Sequence, residues 1–401
     1  MKTVNPFSTT LSLYKDAYSG LSQSTWLLSG VMLVNRSGTM VLPFMTIYLT
    51  AKGFSLFQAG IVVGLFGAGA MCGGFLGGRL TDKWGFHQVQ LITLSGGGLL
   101  FILLGLMKSY PLICIFTFIL SLVNDAFRPA NNTAIAHYSK EENRTRSFSL
   151  NRLAINLGWA IGGTIGGIIA SFNYHLLFWI DGLTNIVAAV LLYYLLKPAP
   201  DPEPAHKTEA AVKAARSPFH DQPYLLFIGF TILYAMVFFQ WYSTLPVYYK
   251  NHLRLSEFYI GLLMGMNGLI IVIVEMVVIF RLEAKKKIMH FISNGVLLTG
   301  LSFIIFNLLP AHPMTAVLSV VLVTFGEMLS MPFMNTFWIS RTIPANRGQY
   351  AGLYTMAFSF AQVAGPTGGS WIAGHYGFSI LWWVAGAMCL VTGILFRTAK
   401  F

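Results

Sequence analysis

The sequence predicts an all-α membrane protein with twelve transmembrane helices in two pseudo-symmetric six-helix bundles. Three observations predict it. The 401 residues are 55% apolar and only 10% charged, whereas soluble domains carry about 25% charged residues. The apolar residues form twelve runs, each long enough for a bilayer core, which takes about 20 residues per helix. The second half of the chain also repeats the first at a nearly fixed offset. No soluble core could hide this much apolar surface, so lipid is the solvent for most of it.

The runs lie near residues 24–50, 56–79, 88–107, 111–137, 147–171 and 176–196, and again near 223–249, 257–280, 288–309, 313–339, 349–374 and 378–397. They are about twice the length of a barrel strand. Junctions as short as Lys108-Ser109-Tyr110-Pro111 and Pro310-Ala311-His312-Pro313 force their neighbours to be antiparallel. The start, Met1 to Gln23, is polar and lacks the apolar core and cleavage site of a signal peptide, so the first run is expected to stay as a span. Residues 197–222 carry Pro, Ala and mixed charge without periodicity. They read as a flexible cytoplasmic linker between an N-terminal bundle, residues 1–196, and a C-terminal bundle, residues 223–401.

The net charge of +12 does not form one basic face, which argues against nucleic acid as a partner. Instead, 19 of the 26 Lys and Arg residues fall in the N-terminal segment, alternate loops and the C-terminal tail. The opposite loops hold only Lys52, Lys108, Lys250 and Arg254. This bias places both termini in the cytoplasm, in a bacterial-type inner membrane. Cys72, Cys114 and Cys389 lie inside apolar runs, and no His pair has HxxH or HExxH spacing. That argues against disulfides, a metal site and an intramembrane metalloenzyme.

The repeat is explicit. At a shift of 203, Leu42-Pro43 meets Leu245-Pro246, Pro129 meets Pro332, Arg144 meets Arg347, Gly162 meets Gly365, Gly166 meets Gly369 and Trp179 meets Trp382. With a two-residue slip, Gly64 and Gly67 meet Gly265 and Gly268. Six spans per half is an even number, so both halves insert the same way up. A solute site between such halves can open to each side in turn.

Seven ionisable residues fall within the spans: Arg36, Asp125, Arg128, Arg152, Asp181, Glu275 and Glu327. Each costs roughly 2.5–3.5 kcal/mol at a helix centre, or about 20 kcal/mol together if unpaired. They must pair, snorkel to an interface, or face a wet cavity. Asp125 and Arg128 share a face by i,i+3 spacing and are expected to pair. Arg36 either faces the cavity or bridges to Asp125. Arg152, on one face with Asn156, is expected to snorkel, and Asp181 to sit at the N-terminal dipole of span 6. A carboxyl desolvated in a cavity can load and release a proton near neutral pH. Glu327, Glu275 and Asp125 are the candidates, with Glu327 first because Pro332 weakens the helix beside it. Arg36, Arg128, Asn156, Gln240, Tyr242 and Asn267 are the expected substrate contacts.

The loop Gly78-Arg79-Leu80-Thr81-Asp82-Lys83-Trp84-Gly85 is similar to the G-x-x-x-D-R-x-G loop of the major facilitator superfamily, and the resemblance covers essentially the whole chain. It implies that Gly78, Asp82 and Gly85 form a conformational motif. Gly78 would allow close helix approach, Asp82 would accept hydrogen bonds from a neighbouring helix N-terminus, and Gly85 would allow a tight turn. The chain departs from the pattern at Phe86-His87, where the family carries a basic pair. Asn156 to Gly167 looks like the G-x-x-x-G-P-x-x-G-G signature of the family's antiporters, with Gly163 in place of proline. Gly365-Pro366-Thr367-Gly368-Gly369 stands at the matching place in span 11.

The resemblance implies the major facilitator fold. It also implies a monomeric secondary transporter of small solutes, most similar to the drug–proton antiporter branch, driven by a proton gradient without a cofactor. No Walker loop is present, which argues against ATP as the driver. The alternative is proton-coupled uptake of a zwitterionic or anionic solute such as a peptide. Ile155-Asn156-Leu157-Gly158 faintly resembles an oligopeptide-transporter segment, but that family's E-x-x-E-R motif is missing from span 1. A lipid scramblase or a membrane-embedded enzyme is a more distant alternative.

Overall fold

A computed structural model describes residues 20–140, 144–196, 217–283, 287–342 and 346–399. Fifteen helices longer than one turn and no strand occur among the described residues. Span 1 is α1 (Gln23–Ser37) followed by α2 (Val41–Ala51). Spans 2 and 3 are α3 (Leu56–Trp84) and α4 (Phe86–Leu106). Span 4 is α5 (Tyr110–Asp125) followed by α6 (Phe127–Tyr138), and spans 5 and 6 are α7 (Arg144–Phe172) and α8 (Tyr174–Leu195). Span 7 is α9 (Gln222–Phe238), a 3-10 turn at Phe239–Trp241, and α10 (Thr244–Asn251). Spans 8 to 12 are α11 (Glu257–Glu283), α12 (Ile288–Leu308), α13 (Pro313–Ser340), α14 (Arg347–Tyr376) and α15 (Phe378–Thr398).

All twelve runs become helical spans, with ends within a few residues of the sequence reading. Eleven are long and apolar enough on their own to cross a membrane by length and composition. α14 carries more Gly and polar residues, yet runs for 30 residues between α9 and α15. The outward faces expose Phe75, Leu99, Tyr194, Ile273 and Leu390, as lipid-facing surfaces do. The protein is an integral membrane protein. Most of the stretch read as the linker, residues 197–216, lies outside the described residues, and Ser217–Asp221 leads into α9 through a 3-10 turn.

Helix ends follow local chemistry. Ser55 and Gln58 form a capping box at the start of α3, satisfying donors the first turn would leave open. Gly85 ends α3 with φ +78°, a backbone conformation that favours glycine. The expected tight turn is therefore present.

Spans 1 to 6 pack among themselves, as do spans 7 to 12. The halves meet mainly along two helix pairs, α3 with α14 and α7 with α11, and α2 also touches α10. These pairs are images of each other under the repeat. A Cβ on Gly64 would come within 2.4 Å of Thr367 Oγ1, and one on Gly265 within 1.9 Å of Thr164 Oγ1. Thr164 and Thr367 are themselves 203 residues apart. Gly60 abuts Ser370 in the same way that Gly261 abuts Gly167.

Candidate functional site

Each half breaks its first span in the middle. α1 ends at Ser37 and α2 begins at Val41, while α9 gives way to Phe239–Ser243 before α10. Breaking a helix at membrane depth frees backbone groups that lipid cannot satisfy. In the first half Asp181 of α8 accepts both freed donors, Met40 N–H at 3.0 Å and Val41 N–H at 2.9 Å. The expected helix-dipole role of Asp181 therefore falls on α2 rather than on its own helix. In the second half the Gln240 amide donates to Met236 O at 3.0 Å and Gly365 O at 2.8 Å, and its Oε1 accepts from Thr244.

The glycines of span 5 divide between two faces. Gly158 and Gly162 lie against Arg36 and Ser37 at the first break, and Gly166 lies against Met40. Gly163 and Gly167 instead face Met264 and Gly261 across the halves. In span 11, Gly365 and Gly369 meet Met236 and Gln240 at the second break.

Between the halves, beside both breaks, lies a cavity of about 460 Å³. Five charged side chains line it: Arg36, Asp125, Arg128, Asp181 and Glu327. Arg128 Nε lies 2.7 Å from Asp125 Oδ1, as their spacing predicted. Arg36 therefore does not bridge to Asp125. Among the described residues the Arg36 side chain makes no hydrogen bond or ion pair, and its Nε is shut off from solvent. On the opposite wall Glu327 has no ion-pair partner among the described residues. Asn267 also lines the cavity and donates to Thr324 Oγ1 at 2.9 Å. Trp159 and Tyr242 face each other from the two halves, ring centres 5.5 Å apart.

Seven of the nine expected substrate and proton residues line this cavity: Arg36, Asp125, Arg128, Asn156, Tyr242, Asn267 and Glu327. Glu275 and Gln240 do not line it. Glu275 is buried against Arg152 in an ion pair that crosses from α11 to α7, so Arg152 does not snorkel. Gln240 is held by backbone at the second break. The sequence marks no role for Trp159, Asn185 or Tyr354, which also line the cavity; aromatic and amide residues are scattered through the spans and carry no charge penalty to mark them.

The C-terminal end of α3 lies on the face that carries Gln23 and Thr398. Gly60, Gly64, Gly67, Gly74 and Gly78 share one side of α3 by helical spacing. The first three pack against α14, whereas nothing lies within 4 Å of a Cβ on Gly74 or Gly78. Gly78 thus makes no close helix approach here. Asp82 is exposed, with no hydrogen bond or ion pair among the described residues. Among the described residues the contacts expected of Gly78 and Asp82 with a neighbouring helix end are not made. At the far face the halves are closed: Glu257 of α11 accepts from both Tyr174 of α8 and Lys250 of α10, and Lys250 Nζ donates to Tyr174 Oη at 2.6 Å.

The family model of the Major Facilitator Superfamily matches residues 26–366. The chain belongs to this superfamily. It is a transporter, not an enzyme. Over 87% of its length this facilitator is 26% identical to the uncharacterised MFS-type transporter YttB of Bacillus subtilis strain 168, covering 88% of that protein. Over 85% of its length it is 23% identical to Multidrug resistance protein 2 of the same organism, covering 86%. Among solved structures it resembles the peptide transporter POT in complex with sulfate, with a TM-score of 0.76 at 16% identity, covering 95% of this chain and 94% of that one. It also resembles a D-xylose–proton symporter, with a TM-score of 0.72 at 17% identity, covering 93% and 96%. At such identities these likenesses speak for the fold alone.

Proposed function

We propose that this facilitator exports a small solute from the cytoplasm in exchange for protons, by alternating access, as a monomer in a bacterial-type inner membrane. The observation that carries the reading is Glu327, a carboxyl on the cavity wall without an ion-pair partner among the described residues. Asp125 and Glu275 are each matched to an arginine, so neither is as free to trade a proton for a solute. The Lys and Arg bias puts the termini in the cytoplasm, so the face joined by Glu257, Tyr174 and Lys250 is the outer one, as suits a site that loads from the cytoplasm. Similarity to Multidrug resistance protein 2 supports export. The proton gradient is the energy source, and no cofactor is needed.

Purified protein in proteoliposomes with an imposed pH gradient tests this. Adding a transported solute outside acid-loaded vesicles is expected to release protons. Glu327→Gln is expected to leave solute binding measurable but to abolish the dependence of flux on the gradient. Gradient-driven flux unchanged in Glu327→Gln removes Glu327 from the reading, and co-uptake of solute with protons replaces exchange by symport.

A further inference from the structure

Of the charged side chains on the cavity wall, most have occupation. Asp125 and Arg128 hold each other, and Asp181 holds the Met40 and Val41 donors at the start of α2, where the helix dipole favours a negative charge. Two remain, and they stand on opposite halves: Arg36 at the end of α1 and Glu327 in α13. They form no ion pair with each other. Arg36 is the less readily explained. A guanidinium brings five donors, and here its Nε is closed off from solvent with nothing to receive it. Its backbone is seated by Gly158, where a Cβ would fall within 2.5 Å of Arg36 Cβ. The side chain is thus packed at its base, its Nε is left unsatisfied, and no hydrogen bond or ion pair among the described residues engages the guanidinium. The Trp159 and Tyr242 rings, in contact with each other, add flat apolar surface to the same cavity.

We infer that the transported solute is bipolar: an aromatic or similarly flat body bearing an anionic group that docks on Arg36 and a cationic group that docks on Glu327. This rests on reading the cavity as the transport site. A guanidinium without a partner selects a carboxylate or a comparable anion, which it can grip with two parallel hydrogen bonds. A carboxylate without an ion-pair partner of its own, beside Asn267 and the Arg152–Glu275 pair, selects an ammonium. The arrangement also accounts for exchange, because a proton arriving at Glu327 competes with the solute's cationic group. A purely anionic solute would bind best with Glu327 already protonated, which favours cotransport. A purely cationic one would leave Arg36 unsatisfied and would meet its repulsion.

Equilibrium binding to the purified full-length protein in detergent tests the inference with three probes on one ring system: 6-(aminomethyl)-2-naphthoate, 2-naphthoate and 2-naphthylmethylamine. The bipolar probe is expected to bind at least about ten-fold more tightly than either singly charged probe, the gain for one satisfied charge pair. Arg36→Gln is expected to erase its advantage over the amine, and Glu327→Gln its advantage over the carboxylate. Arg36→Lys, which keeps the charge, is expected to retain part of the preference. Thermal unfolding of each variant shows whether the fold persists. Equal binding of the amine and the bipolar probe, an unchanged ratio in Arg36→Gln, or no binding of any probe overturns the inference. Normal bipolar selectivity with no proton-driven flux leaves the site standing and removes the exchange reading. Proton-driven flux of the amine alone does the reverse.

Discussion

The two halves solve the same structural problem with different residues. Each interrupts its first span at the level of the cavity, at positions related by the repeat, and each must satisfy the backbone it frees. The first half reaches across to Asp181 on α8, a charged acceptor for two N–H donors. The second half uses Gln240 within the break itself, a neutral donor for two carbonyls, seated against Gly369 of α14. The starts of the first spans show the same pattern. Ser22 caps α1 and donates to Tyr138 O at 2.6 Å. Asp221 caps α9 and pairs with Arg341, which is the repeat image of Tyr138. Duplication has kept the geometry while the chemistry diverged. The consequence is chemical: the break in the first half is held by an ionisable carboxyl, and that in the second by a neutral amide.

Span 4 and span 10 diverge too. Pro129 and Pro332 are repeat images, but the chain breaks at Ala126 so that Pro129 falls in the first turn of α6, where no N–H is required. Pro332 lies inside a continuous α13. The expected weakening of the helix near Glu327 does not become a break, since proline in a membrane helix is tolerated where neighbours re-satisfy the freed carbonyl.

Four substitutions test how unequal the halves are. Asp181→Ala is expected to be the most damaging, by about 3 kcal/mol or more, because two buried donors lose a charged acceptor. Thermal unfolding in detergent measures it, and a loss no larger than that of Gln240→Leu would make the two breaks equivalent. Gln240→Leu is expected to cost about 2 kcal/mol, since carbonyls tolerate a lost donor better than N–H groups tolerate a lost acceptor.

Asp221→Asn comes next, at about 1–2 kcal/mol near neutral pH, and it has a pH signature. Burial alone would raise the Asp221 pKa. The Arg341 guanidinium, with Nε at 2.9 Å, together with the Tyr350 hydroxyl and the Tyr224 N–H, holds it below the usual aspartate value instead. A depressed folded-state pKa means the stabilisation is whole above the unfolded value, about 3.9, and fades as pH falls through the folded one. The wild type should therefore lose stability on acidification below that point more steeply than Asp221→Asn; parallel acid limbs would show that the pair contributes nothing. Ser22→Ala is expected to be mildest, about 0.5–1 kcal/mol for a lost cap. A larger loss than Asp221→Asn would reverse the ranking of the two anchors.

The order of spans, their lengths, the repeat and the Asp125–Arg128 pair were all legible in the sequence, because they depend on short-range regularities. A helix advances by a constant rise and turn, so neighbours within it, and the length that fills a bilayer, follow from spacing alone. The membrane cost of charge likewise marked the seven ionisable residues. Their partners were a different matter. That Glu275 meets Arg152 across the halves, that Asp181 serves a helix 140 residues away, and that Arg36 is left alone beside the cavity depend on how helices are rotated and set against one another. Those rotations come from the packing of many side chains at once, down to single glycines such as Gly158 and Gly261. No periodicity along the chain records them.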